Sequence, residues 1–389
     1  MWGRLAPGLL VLLVLSGSVV LVPGSAAAFG TIESGGQNRE HERITRAAAA
    51  CPAGTDSDSD CFEPRSVDQL AGHGKAFGAV GSPDSTEISD PAAHCDDADF
   101  LVGDYPQTRD EATARLLECV DHLRLRFREA IDSAKGLLDD KGQIVGAEVN
   151  LDTDCVLDPK TEQRAKCESL ESFGRALHGA QDFYSHSNWA DEANPASPIG
   201  ADNPPGLNLP APSPILDLRG SSTPTVPGDL TTGCYVLRDR VPGVQECERR
   251  VTHAALNKDT GLIDPNTGTA TAPTKPRGKV GSNFAKAVAG AIVETRHQWQ
   301  EFRLALEANY GAESASRMAC ALTRDDPTND CRAQPQAAAR NGSDSMDRAA
   351  VALTISGVLL GFLGVGILLF QVRRRRRANR TPHTDADGL

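Results

Sequence analysis

The sequence predicts a mainly α ectodomain with long Pro/Gly-rich loops, held by one transmembrane helix. Three observations carry that prediction. Apolar residues recur at steps of three and four over several long stretches, and β-branched alternation is scarce. All ten cysteines lie between two strongly apolar segments, one near each end of the 389 residues.

The first apolar segment follows Arg4 and runs from Leu9 to Val22, breaks at Pro23-Gly24 and ends in Ser25-Ala26-Ala27-Ala28. Charge, apolar run and small residues in that order make a cleavable secretory signal, residues 1–28. Cleavage after Ala28 leaves Phe29 first, and the same pattern permits a cut one or two residues earlier.

Residues 29–311 are expected to form one helical, disulfide-bridged, metal-binding ectodomain. A short helix is expected from Arg39 to Ala50. Thr108 and Glu111 have capping-box spacing, and Leu116, Val120, Leu123, Phe127, Ala130, Ala134 and Leu138 then mark a long amphipathic helix. A second helix, from about Glu168 to His186, carries the stripe Leu170, Phe173, Leu177, Ala180 and Tyr184. A third, from about Phe284 to Leu306, aligns Phe284, Val288, Ile292, Trp299 and Phe302. Between them lie proline- and serine-rich 194–229 and threonine-, glycine- and proline-rich 259–281, lengths usual for functional or disordered loops.

Residues 312–348 are expected to be a polar stalk, in which Asn341-Gly342-Ser343 is a glycosylation sequon. Ala349 to Phe370 is 22 residues without a charge, about 33 Å as a helix and enough to span a hydrocarbon core of about 30 Å. Arg373 to Arg377 follow it and assign the tail, 371–389, to the cytoplasm. The expected topology is single-pass type I in the plasma membrane, with the ectodomain outside.

An even cysteine count on the exported side, without any CxxC, argues for disulfides over thiolate metal sites. Nearest neighbours pair Cys51 with Cys61, Cys155 with Cys167, Cys234 with Cys247 and Cys320 with Cys331, leaving Cys95 with Cys119. Seven of the 40 Lys and Arg, but only two of the 52 Asp and Glu, lie in the leader and tail, so the exported part carries a formal charge of −17. Such a surface repels nucleic acid, and none is expected as a partner.

Two of the nine histidines stand eight residues apart in LHGAQDFYSHSNW, with an acid midway: His178, Asp182 and His186. Steps of four place the three within an arc of about 80° on one helix face. Two imidazoles and a carboxylate are typical zinc ligands. The same face carries Glu171 and Arg175 opposite the apolar stripe, so it also suits the solvated side of an amphipathic helix.

The string QDFYSHSNW closely resembles the hallmark of proteins like the fungal heterokaryon-incompatibility protein Het-C, which in turn resemble the zinc-dependent phospholipase C and single-strand nuclease superfamily. REHERIT, AHCDDADF, TTGCY and THAALNKD extend the resemblance over much of the ectodomain. It implies a helical fold around zinc, with His41, His178, Asp182, His186 and His253 as metal ligands. Those enzymes space the helix Asp and the next His two residues further apart, and they place an acid four residues after the later His, where Asn257 stands here. One or two zinc ions are therefore expected rather than three. Asp97 is the candidate bridging carboxylate and general base, with Asp96, Asp99 and His94 competing for that role.

Glu294 and His297, three apart on the last helix, are a further possible ligand pair or simply a surface pair. A zincin motif at His41-Glu42 is excluded because Thr45 stands where the second histidine belongs. His73, His122 and His383 have no supporting context. The resemblance implies a cell-surface, phospholipase C-like hydrolase of phosphodiesters that uses a metal-activated water. The tether suggests phospholipid as substrate. The reading that competes with it is a non-catalytic surface interaction protein with a structural or degenerate metal site.

Overall fold

A computed structural model describes residues 29–332 except 159 and 241–245. The expected signal segment, the expected transmembrane run, the basic tail and the far part of the expected stalk, Asn341 included, lie outside the described residues. No helix among the described residues is long and apolar enough to cross a membrane.

The domain is mainly helical. Helix α1 is Glu40–Ala49, α2 Pro64–Ala71, α3 Arg109–Ala134, α4 Ala165–His186, α5 Asn283–Tyr310 and α6 Ala312–Thr323. Single helical turns occupy Gly78–Gly81, Pro83–Thr86 and His253–Leu256. The strands are a minimal antiparallel hairpin, β1 Leu262–Ile263 with β2 Ala270–Thr271.

The capping box opens α3: Thr108 Oγ1 accepts from the Glu111 amide at 3.2 Å, and Glu111 Oε2 accepts from the Thr108 amide at 2.8 Å. The stripe Leu116, Val120, Leu123, Phe127, Ala130 and Ala134 is buried, as its spacing predicts. It packs chiefly on α4, which α5 covers from another side. The aromatic rings of Phe127, Phe173, Trp299 and Phe302 meet where the three helices join.

Helix α4 differs from the amphipathic helix its stripe suggests. Every residue of it except Glu168 and Ser172 is buried, so the polar face of His178, Asp182 and His186 is enclosed by protein instead of water. Two glycines permit that enclosure. A Cβ on Gly174 would lie 2.4 Å from Ala79, and one on Gly179 would lie 2.6 Å from the Ala93 carbonyl. The turns bearing Val80 and His94 thereby reach α4.

All five expected disulfides form, and no cysteine is free. The start of the expected stalk is corrected: α6 buries Ala315, Met318, Ala319, Ala321 and Leu322 against the domain. The apolar face of this segment outweighs its polar composition. The loop 194–229 is tied down by backbone pairs such as Leu207 to Asn188 at 2.9 Å and Leu209 to Trp189 at 2.7 Å.

Candidate metal centre

Imidazoles and carboxylates from distant parts of the chain converge on the enclosed face of α4. His41 comes from α1, Asp84 from the turn Pro83–Thr86, His94 from the turn beneath Gly179, and His253 from the turn His253–Leu256. His41, His178, Asp182, His186 and His253 are each at most 1% exposed.

Around Asp182 the donor atoms are close-set. His41 Nε2 lies 3.2 Å from Asp182 Oδ1, His178 Nε2 and His94 Nδ1 each lie 3.1 Å from Oδ2, and those two nitrogens are 2.9 Å apart. Asp84 Oδ1 is 3.8 Å from His178 Nε2. Ligands at about 2.0–2.1 Å from a tetrahedral zinc stand about 3.3 Å from one another, so these separations suit a shared cation. His41 Nε2, Asp182 Oδ1 and Asp84 Oδ1 are buried without a hydrogen-bond partner. Unsatisfied donors and acceptors are costly in a protein interior, and a cation at their common focus would remove that cost. The residues present therefore fit zinc.

The far sides of the rings show which nitrogens are available. His178 Nδ1 donates to the Val80 carbonyl at 2.8 Å, leaving the Nε2 lone pair facing Asp182. His41 Nδ1 meets Gln181 Oε1 at 2.7 Å. Gln181 is oriented by its other end: Nε2 donates to Thr45 Oγ1 at 2.9 Å and to Thr295 Oγ1 at 3.0 Å, while the Thr295 hydroxyl donates to the Ala291 carbonyl. His41 Nδ1 is thus the donor and its Nε2 the free base. Thr45, which breaks the zincin pattern, holds the amide that orients His41.

His186 and His253 form a second group, their Nε2 atoms 3.2 Å apart. His186 Nδ1 donates to the His94 carbonyl at 3.1 Å and lies 3.1 Å from Asp96 Oδ1. Asp96, His186 and His253 offer ligand atoms that all lie within 4.8 Å of one another.

Burial disfavours charge on every one of these groups, yet their mutual fields decide the outcome. Burial alone would raise the Asp182 pKa, but His178, His186 and His41 around it hold it well below the usual carboxylate value. His186 is opposed by burial as well, and Asp96 and Asp182 outweigh that and push it well above the usual imidazole value. Asp96 is raised to about 6, chiefly by burial.

Asp97 is not part of this convergence. Arg238 Nη1 binds its Oδ2 at 2.7 Å and Arg250 Nη2 its Oδ1 at 3.2 Å. Both of its oxygens are occupied by guanidiniums and it does not face the Asp182 group, so the general-base assignment to Asp97 is corrected. Asp99 is likewise bound by Arg250, with Nε at 2.9 Å. Glu294 is no surface group: it accepts from Tyr184 Oη, the Ser213 amide and Gln298 Nε2, at 2.7, 2.9 and 2.7 Å.

Asp84, which joins the group, had no signal in its local sequence. His94 stood among the competitors for another role. Compared with family models, curated proteins and solved structures, the chain matches none.

Proposed function

We infer that this chain is a zinc-dependent phosphodiester hydrolase, phospholipase C-like, exported and tethered beside a membrane. The observation that carries the reading is the pair of adjoining groups, His41–His178–Asp182 and Asp84–His94–His178, which share His178 and hold buried unsatisfied polar atoms. A zinc ion there supplies a water acidified toward a pKa of about 7 and a positive charge for a phosphoryl oxygen. The chain's part is to hold and orient. His41, His178 and Asp182 provide the donor atoms, and Gln181 and the Val80 carbonyl fix the two rings so that Nε2 faces inward. Asp84 is the most accessible carboxylate of the group, its side chain 9% exposed. It takes the proton-accepting role at the rim that Asp97, bound to arginines, is unsuited to. The signal segment, the apolar run 349–370 and the arginine block support a type I plasma-membrane location, and the tether favours phospholipid as substrate.

A second reading rests on the enclosure itself. A catalytic zinc keeps an open position, whereas a structural one is closed by protein ligands. With His178, Asp182 and His253 all 0% exposed, a structural ion in a non-catalytic surface interaction protein is the competing assignment. Elemental analysis of the purified protein, together with hydrolysis of a chromogenic phosphodiester with and without chelator, separates the two. The hydrolase reading expects bound zinc and turnover that chelator abolishes and zinc restores. Bound zinc without turnover selects the structural reading, and absence of zinc removes both.

A further inference from the structure

We propose that this chain binds one amphiphilic carboxylate, a medium-length aliphatic body with a single anionic head, in a cavity between α1, α2, α4 and α5. None of the residues grouped around Asp182 lines this cavity, and the inference does not rest on the metal reading. The cavity holds about 360 Å³, near the lower end of the roughly 300–1,000 Å³ usual for small-ligand sites. Protein interiors are otherwise close-packed, and space opens here because α1 presents only Ala48 and Ala49 to it.

The inner wall is apolar. Phe62, Leu70, Phe173, Leu177 and Trp299 line it and are buried. The Trp299 ring centroid lies 4.7 Å from that of Phe62 and 5.7 Å from that of Phe173, and its Nε1 donates to the Ser59 carbonyl at 3.0 Å. Thr295 also lines the cavity, but its hydroxyl donates to the Ala291 carbonyl and accepts from Gln181. The polar atoms of this wall are thus committed to protein partners, and the surface left to a ligand suits hydrocarbon.

The mouth is charged. Arg296, Gln300 and Arg303 follow one another at steps of four and three on one face of α5, and Asp60 meets them from the loop closed by Cys51 and Cys61. Arg303 Nη1 pairs with Asp60, while Arg303 Nε is buried without a hydrogen bond. Arg296 is held by the Ala47 and Ala48 carbonyls at 2.7 and 3.2 Å, acceptors that carry no charge. Two guanidiniums against one carboxylate leave this mouth positive on an exported part whose formal charge is −17. A guanidinium takes a carboxylate best through two N–H groups at once, and Arg303 keeps one such donor unused. Asp60, exposed on its loop, marks where an anionic head sits, and an exposed ion pair is weak enough for a ligand to displace.

The test is calorimetric titration of the full-length chain in lipid nanodiscs, with empty discs as the blank, octanoate as the probe and octanol as its neutral counterpart. The wild type is expected to bind octanoate one to one, and octanol at least about 10-fold more weakly. Arg303→Gln is expected to weaken octanoate about 10–100-fold and to leave octanol unchanged. Ala48→Trp, which fills the cavity from α1, is expected to abolish binding of both. Asp60→Asn removes the resident carboxylate and is expected to tighten octanoate about 2–5-fold. Octanoate that does not bind, or octanol that binds as tightly, overturns the proposal. So does octanoate binding that survives Ala48→Trp unchanged, which puts the carboxylate elsewhere, the metal centre included. Where Arg303→Gln does not fold, Asp60→Asn decides: tighter binding supports the proposal, and unchanged or weaker binding overturns it.

Discussion

Two buried charged clusters sit back to back across the Ser185–Asp191 segment, and they are built on opposite principles. On one side Asp191, 0% exposed, accepts from Arg277 Nε at 2.7 Å, Arg277 Nη2 at 2.8 Å and Lys258 Nζ at 3.1 Å. Lys258 spends its remaining donors on the Ser187 and Leu256 carbonyls, and Arg277 Nη1 reaches Asn203 and the Pro204 carbonyl. On the other side, His41 Nε2, His94 Nε2, Asp182 Oδ1, Asp96 Oδ2 and Asp259 Oδ2 are buried without a hydrogen bond. Burial of charge is common to both clusters. What separates them is satisfaction: the first is complete as protein alone, whereas the second crowds acceptor and imidazole atoms together with several left unsatisfied.

The largest expected effect breaks the complete cluster. Asp191→Asn leaves two buried cations without their counter-charge and is expected to cost about 3–5 kcal/mol. Denaturant unfolding with and without chelator checks it. The loss should be the same in both, and a loss below about 1 kcal/mol would show that the cluster is less tightly balanced than its contacts indicate.

The incomplete cluster should respond in the reverse way. With free zinc about a thousandfold above Kd, wild type is expected to gain about 4 kcal/mol that chelator removes. His178→Ala and Asp182→Asn should respond far less. A wild-type melting temperature that ignores chelator contradicts the assignment of this cluster to a metal.

Next in size are the disulfides. Cys155–Cys167 closes a separation of 12 residues at the start of α4, worth roughly 3 kcal/mol in the chain-entropy model. Replacing both cysteines by alanine should lower stability by about that amount. Thiol titration of the denatured, unreduced wild type should find no free thiol, and two or more per chain would contradict the pairing.

Lys166 is a third case, a buried cation that donates to Ser66 Oγ at 2.9 Å and the Arg324 carbonyl at 2.6 Å. Burial lowers its pKa from 10.5 to about 7. Between those values the unfolded chain holds a proton that the folded chain does not, so this group makes stability rise with pH over that window. Unfolding at pH 7 and pH 9 should show the rise in wild type and its loss in Lys166→Met. An identical pH response in the two proteins would contradict it.

The smallest effect is the control. His73, with its side chain 42% exposed, should tolerate His73→Ala within about 0.5 kcal/mol, unchanged by chelator.

Much of this was legible in the sequence because it depends on near neighbours. Capping and apolar periodicity set α3, α4 and α5 within a few residues of the expected limits. Four of the five disulfides join cysteines 10 to 13 residues apart, so proximity along the chain was enough to pair them. His178, Asp182 and His186 share a face because the helix repeat puts them there.

The tertiary structure decided whether that face meets water or protein, and which other residues complete it. Asp84 and His94 lie 84 or more residues from His178; the turn of His94, and the turn Gly78–Gly81 that precedes Asp84, pack against α4 at Gly179 and Gly174. Asp97 looked like its acidic neighbours until Arg238 and Arg250, more than 140 residues away, took both its oxygens. Helical pitch and short loop closure are properties of a few adjacent residues and can be read from them. The convergence of distant side chains depends on how whole helices pack, a sum of many weak contacts that no local pattern encodes.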